Sequence, residues 1–172
     1  VLAPRARDKG LDYQMVWEGE LPSFVEVDAN GLSQVLLELL GNAIKFTQNG
    51  HVHLHASMSQ QSEYTSLLHL SVEDSGVGID PQEQARVFEP FVQLRISDDA
   101  SLDEDQQGHG LGLAMVQSMA LIQGAQIQVV SCPGVGSSFD VYWPLRVAPS
   151  PQESAPTLLD LAPLQSVLLK PL

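Results

Sequence analysis

The chain has 172 residues, enough for one well-buried core plus a tail of lower order, and its 44% hydrophobic and 17% charged residues are those of an ordinary globular domain. Eight Lys and Arg against 21 Asp and Glu give a net charge of -13, which argues against nucleic acid as a partner. That charge leaves small phosphates open, because a phosphate site depends on local N–H groups and one or two cations.

The single cysteine, Cys132, excludes an internal disulfide, and no Cys/His group has zinc-ligand spacing. No apolar run approaches the ~20 residues of a membrane helix. The opening VLAPRARDKG also lacks the apolar core of a signal peptide. The expected setting is cytoplasmic, with no direct membrane contact by this stretch.

In chain order, residues 11–17 (LDYQMVW) and 24–27 (FVEV) are short runs of β-formers around a Gly/Pro turn, which predicts a hairpin or paired edge strands. A long amphipathic helix follows, capped by Asp28 or Asn30. Leu32, Val35, Leu36, Leu39, Leu40, Ala43 and Ile44 recur at helical spacing, and Gly50 is the latest stop. His51, His53 and His55 alternate with Val52, Leu54 and Ala56, and residues 67–73 alternate likewise. These read as two half-buried strands joined by the polar loop 59–66.

Asp80 and Pro81 start a short helix to Val87. Residues 92–107 lose all periodicity and carry five acids, Asp98, Asp99, Asp103, Glu104 and Asp105, the composition of a mobile lid. A second helix spans 110–123 with Gly124 as its stop, and strands at 125–131 and 137–143 close the domain. After Arg146 the run VAPSPQESAP has a linker's composition, so the domain is expected to cover 1–147 and the linker to occupy 148–172. The apolar stretch at its end either docks locally or begins another domain.

Three constellations carry chemistry. Glu38, Asn42 and Lys45 share one stripe of the long helix, and a carboxylate, an amide and an ammonium in a row suit Mg²⁺ with phosphates, although any amphipathic helix has a polar stripe. In DSGVGI (residues 74–79), Gly76 and Gly78 let a flat ligand approach the backbone and Asp74 has the acceptor for an exocyclic amine such as that of adenine. An ordinary turn is the bland alternative. In GHGLGL (residues 108–113), alternate glycines run into a helix N-terminus and offer N–H groups to phosphate, or else form a hinge. Neither a Walker A loop nor a Rossmann glycine pattern is present.

In this order, QVLLELLGNAIKFT (residues 34–47), DSGVGI, FEPF (88–91) and GHGLGL closely resemble the N, G1, F and G2 boxes of sensor histidine kinase catalytic domains, within the ATP-binding GHKL superfamily. The resemblance covers roughly residues 10–146. It implies a Bergerat-type two-layer α/β sandwich, a mixed, mainly antiparallel sheet covered on one face by helices, with ATP between the helices and the lid.

By the same resemblance Asn42, with Glu38, would hold Mg²⁺ and Lys45 would contact phosphate. Asp74 would bind the adenine amino group, with Gly76, Gly78 and Ile79 shaping the base pocket. Phe88 and Phe91 would pack at the lid root with Arg95 beyond, and Gly108, His109, Gly110, Leu111, Gly112 and Leu113 would line the phosphates. The implied reaction is transfer of the γ-phosphoryl group of ATP to a histidine.

Three departures stand out. Glu38 replaces the usual first Asn of the N box, so a GHKL-type ATPase with Glu38 as base is the rival enzyme. Gln107 and His109 depart from the usual G2 residues, and the acidic lid offers only Arg95 as a cation, which would suit a weakened domain acting as a regulatory module.

No histidine here is followed by the Glu/Asp and Pro of the family's acceptor helix. The acceptor is therefore expected on a dimerisation domain elsewhere. The Pro-rich linker implies a hybrid kinase with a receiver domain or response regulator as a further partner, and this stretch would be the cytoplasmic part of a membrane-bound sensor. For His51, His53, His55 and His69, a solvated sheet face is the better account than metal or catalysis.

Overall fold

The computed structural model describes residues 2–19, 25–93, 110–147 and 158–159. A short helix α1 (Leu2–Asp8) leads to strand β1 (Asp12–Glu18), then β2 (Val25–Glu26) and the long helix α2 (Ala29–Phe46). A hairpin of β3 (His51–Gln60) and β4 (Thr65–Asp74) follows. The short helix α3 (Pro81–Gln84), helix α4 (Gly112–Ile122), β5 (Gln126–Cys132) and β6 (Gly136–Val147) complete the layer, and a two-residue β7 (Leu158–Leu159) pairs with β2.

The sheet runs β1-β3-β4-β6-β2-β7, and β5 also lies against β6. The β1–β3 pair is parallel and the others are antiparallel, as a mixed, mainly antiparallel sheet requires. Strand alternation drives one face inward. Val52, Leu54 and Ala56 of β3, Leu68, Leu70 and Val72 of β4, and Phe139, Val141, Trp143 and Leu145 of β6 are all buried and meet the apolar stripe of α2. Val116 and Ala120 of α4 join the same core.

Asp28 caps α2, accepting N–H bonds from Asn30 and Gly31 at 3.1 Å. Its other oxygen accepts from the Gln123 amide at 3.0 Å, which ties the end of α4 to the start of α2. At the far end of α2, the Lys9 ammonium donates to the carbonyls of Ile44, Lys45 and Thr47 at 2.8, 3.1 and 3.3 Å, a cationic cap on carbonyls that have no helical partner.

Three expectations change. Among the described residues, 11–17 and 25–27 do not pair with each other. β1 runs parallel to β3, which needs the α2 crossover between them, and β2 pairs with the far end of β6. The helix after Asp80 is α-helical only over Pro81–Gln84 and continues as turns, with the Arg86 N–H bonded to the Glu83 carbonyl. The second helix begins at Gly112 rather than at residue 110, because Gly110 has φ +68° and is bonded to Phe91. α1 was not expected from the sequence.

Candidate nucleotide site

The chemistry gathers where α2, the end of β4 and the β5–β6 turn meet. Asp74, the last residue of β4, lies between Val52 of β3 and Ser137 of β6 and is only 7% exposed. Burial pushes its carboxyl above the usual aspartate range, opposed by N–H donations from Gly76 and Ser137 and by the charge of His51. The Gly76 bond measures 2.8 Å.

The glycine-rich loop after Asp74 is clamped from two sides. The Val77 carbonyl accepts from Gly134, and the Ile79 N–H donates to the Ser131 hydroxyl, both at 2.8 Å. The Gln84 amide bridges the Ile79 and Ser131 carbonyls at 3.0 and 2.8 Å. At Gly78, with φ +69°, a Cβ would run into the Cys132 carbonyl, so only glycine lets the loop lie this close to the β5–β6 turn.

Above the loop is a cavity of about 270 Å³ whose walls include Asn42, Ala43 and Phe46 of α2, Val77, Gly78 and Ile79 of the loop, Leu113 of α4, and Phe139 of β6. Asp74, Asp80, Glu83 and Ser137 supply its polar groups, and Pro133 completes the lining. Apolar walls around one buried carboxylate are what a flat, amine-bearing ring needs.

Of the residues singled out from sequence, Asn42, Asp74, Gly78, Ile79 and Leu113 line this cavity. Gly76 stands behind it as a hydrogen-bond donor to Asp74. The Lys45 ammonium lies 4.8 Å from the centre of the Phe46 ring, and burial lowers its pKa. Glu38 points along α2 toward α4: one of its oxygens accepts from Gln34 at 3.1 Å, and the other abuts Gly112.

Phe91 donates its N–H to the Gly110 carbonyl at 2.9 Å, which joins the chain on either side of residues 94–109. Phe91 has φ 65°, strained for a bulky residue, and the residue is 75% exposed. Phe88 packs edge-on to Phe139, with ring centroids 6.3 Å apart. Leu111 is the N-cap of α4 and offers no capping side chain, so the first-turn N–H groups of Gly112 and Leu113 are left uncapped. Arg95, Gly108 and His109 lie outside the described residues.

Sequence reasoning missed Ser137, Pro133 and Phe139, which reach the cavity from the β5–β6 hairpin more than 50 residues beyond Asp74. A larger, more open hollow of about 540 Å³ lies between the start of α2 and the end of α4, but Asp28 in its wall is already used as a helix cap.

Residues 27–147 match the family described as histidine kinase-, DNA gyrase B- and HSP90-like ATPases. The chain is 31% identical over 171 residues to the signal transduction histidine-protein kinase BarA of Shigella flexneri, covering 99% of this chain and 18% of that protein. It is 34% identical over 149 residues to the autoinducer 2 sensor kinase/phosphatase LuxQ of Vibrio parahaemolyticus, covering 85% of this chain and 17% of that protein. It thus spans under a fifth of the length of both relatives.

Among solved structures, full-length ShkA in complex with AMPPNP superposes with a TM-score of 0.71 at 34% identity, covering 90% of this chain and 30% of that one. The nucleotide-free catalytic domain of histidine kinase ThkA gives 0.66 at 24% identity, covering 83% and 84%, and supports the fold. The chain therefore belongs to this ATPase family, as a catalytic ATPase domain of the histidine kinase, GHKL type. Among the described residues no helix is long and apolar enough to cross a membrane.

Proposed function

We propose that this domain binds Mg²⁺-ATP, releases ADP, and passes the γ-phosphoryl group to a histidine on a dimerisation domain of the same protein, with a receiver domain or response regulator as the next acceptor. The observation that carries the reading is the Asp74 carboxylate, buried on the floor of an apolar cavity. A carboxylate has about four acceptor positions. The Gly76 and Ser137 N–H groups leave room for a donation from the adenine amino group, and Phe139, Ile79 and Leu113 provide apolar surface for the ring.

The donor set fits the metal as well. Asn42, on the α2 wall, offers a neutral amide oxygen, the kind of single protein ligand that suits a Mg²⁺ held mainly by phosphate and water. Bound there, the cation would offset charge on the transferring phosphoryl group. The uncapped N–H groups of Gly112 and Leu113 point the positive end of α4 toward the phosphates. Lys45 would turn toward the γ-phosphate from its perch on Phe46.

Hydrolysis through Glu38 fits less well. Its carboxylate is taken up by Gln34 and by contact with Gly112, and it is not part of the cavity wall. We read Glu38 as a residue that seats the N-terminus of α4, rather than as a metal ligand or a base.

The test is radiolabelled ATP with the full-length protein. The expected product is acid-labile label on a histidine, lost with Asp74→Asn. Steady release of inorganic phosphate with no labelled histidine would refute the kinase reading.

A further inference from the structure

The sheet face turned away from the helices carries chemistry that the nucleotide cavity leaves unused. Strand alternation puts His51, His53 and His55 of β3 on that face, half-buried while their neighbours go to the core. β1 and β4, on either side, add Asp12 and Glu73.

Two imidazole–carboxylate pairs lie side by side there. His53 Nε2 lies 3.3 Å from Asp12 Oδ2, and His51 Nε2 lies 3.5 Å from Glu73 Oε1. The His51 and His53 rings are 4.4 Å apart between centroids and tilted by 31°. Two donors bound to a tetrahedral cation at ~2.0–2.1 Å stand about 3.3 Å from each other. Each imidazole–carboxylate pair is already at that separation.

We propose that His51, His53 and Asp12, with Glu73 beside them, bind a borderline divalent cation of the Zn²⁺ class. Two imidazoles select such ions over Mg²⁺, which prefers oxygen ligands, and two carboxylates offset the double charge. The side chains are 22–56% exposed, so an ion has access. No three ligating groups among the described residues surround one point as they stand. Binding therefore turns the His51 ring toward the His53–Asp12 pair, a rotamer change that its half-exposed position permits. Without a metal, the same pairs are surface imidazole–carboxylate contacts of small worth.

The site adjoins the nucleotide loop. The His51 N–H donates to the Ser75 hydroxyl at 2.8 Å, and the His51 carbonyl accepts from the Ser75 N–H at 3.1 Å.

Calorimetric titration of the chain with Zn²⁺ in excess Mg²⁺ tests this. The expected result is one zinc per chain, with affinity reduced at least tenfold in His53→Gln and abolished in the His51→Gln/His53→Gln double variant. His69→Gln, on the same face but paired with Asp140 at 2.7 Å, should bind within twofold of the parent, as should Cys132→Ser and His109→Gln. Circular dichroism checks that each variant is folded. Absence of zinc binding, equal binding by the double variant, or loss on changing Cys132 or His109 alone would each overturn the proposal.

Discussion

Asp74 is held in tension between burial, which disfavours its charge, and the N–H groups of Gly76 and Ser137, which favour it. Because its pKa is raised on folding, its contribution to stability is fully present below the ordinary aspartate value and is lost as pH rises through the raised one. On the proposed reading, the adenine amine binds the opposite, ionised form best. Nucleotide affinity is therefore expected to fall, as pH is lowered, at a higher pH than an exposed aspartate would give, and fluorescence titration of a labelled ATP analogue across pH checks it. A flat profile down to pH 4 would show that Asp74 is not the acceptor. At Glu38 the expected outcome is quieter: Glu38→Gln keeps its length and should leave basal phosphate release within about twofold. A drop of a hundredfold would restore Glu38 as a base.

The two ends of α2 and the start of α4 set the geometry at the next scale. Thr47, the C-cap of α2, is fully buried, and its hydroxyl has no hydrogen-bond partner among the described residues. Thr47→Val removes an unpaired polar group while keeping the shape, and should raise stability by about 1 kcal/mol in a denaturant melt. A loss of stability would mean that the hydroxyl is bonded in solution. Gly110 works differently: its φ is +68°, and a Cβ there would sit 2.8 Å from the Val92 carbonyl oxygen. Gly110→Ala costs about 1–2 kcal/mol of strain at the junction with Phe91. It should speed hydrogen exchange of the Phe91 amide roughly tenfold, whereas unchanged exchange would show that the junction opens freely without the substitution.

Elements were legible where the signal is local. The Asp28 cap, the apolar spacing from Leu32 to Ile44 and the alternation at residues 51–56 define α2 and β3 without help from the rest of the chain. The misses are of another kind. α1 has Pro4 in its first turn and only seven residues to show a period, and Lys9 finds its three carbonyls 35 or more residues away. The partner of β1 is chosen by a helical crossover, not by its own seven residues.

For the molecule as a whole, the acidic surface and the nucleotide site do not conflict. The net charge of -13 belongs to the chain as a whole, while the cavity wall holds one buried carboxylate, Asp74, and on the proposed reading the start of α4 would face the phosphates. Asp74, Asn42 and Gly78, far apart in the chain, line one cavity because the end of β4 and the loop after it lie against the C-terminal half of α2. Ser137 and Phe139 were silent, since a serine and a phenylalanine in a strand carry no signal of their own. Histidines set aside as a solvated face gained meaning only once β1 and β4 placed carboxylates beside them.

Calorimetry of Mg²⁺-ATP with this chain and with Asp74→Asn tests the central claim most directly. An asparagine cannot satisfy both donors: with its oxygen toward the Gly76 N–H its amide hydrogens meet the adenine amine, and flipped, they meet Gly76. The account predicts one ATP per chain, weakened roughly tenfold or more by Asp74→Asn while the fold and melting behaviour persist. Equal affinity in the two proteins would contradict it.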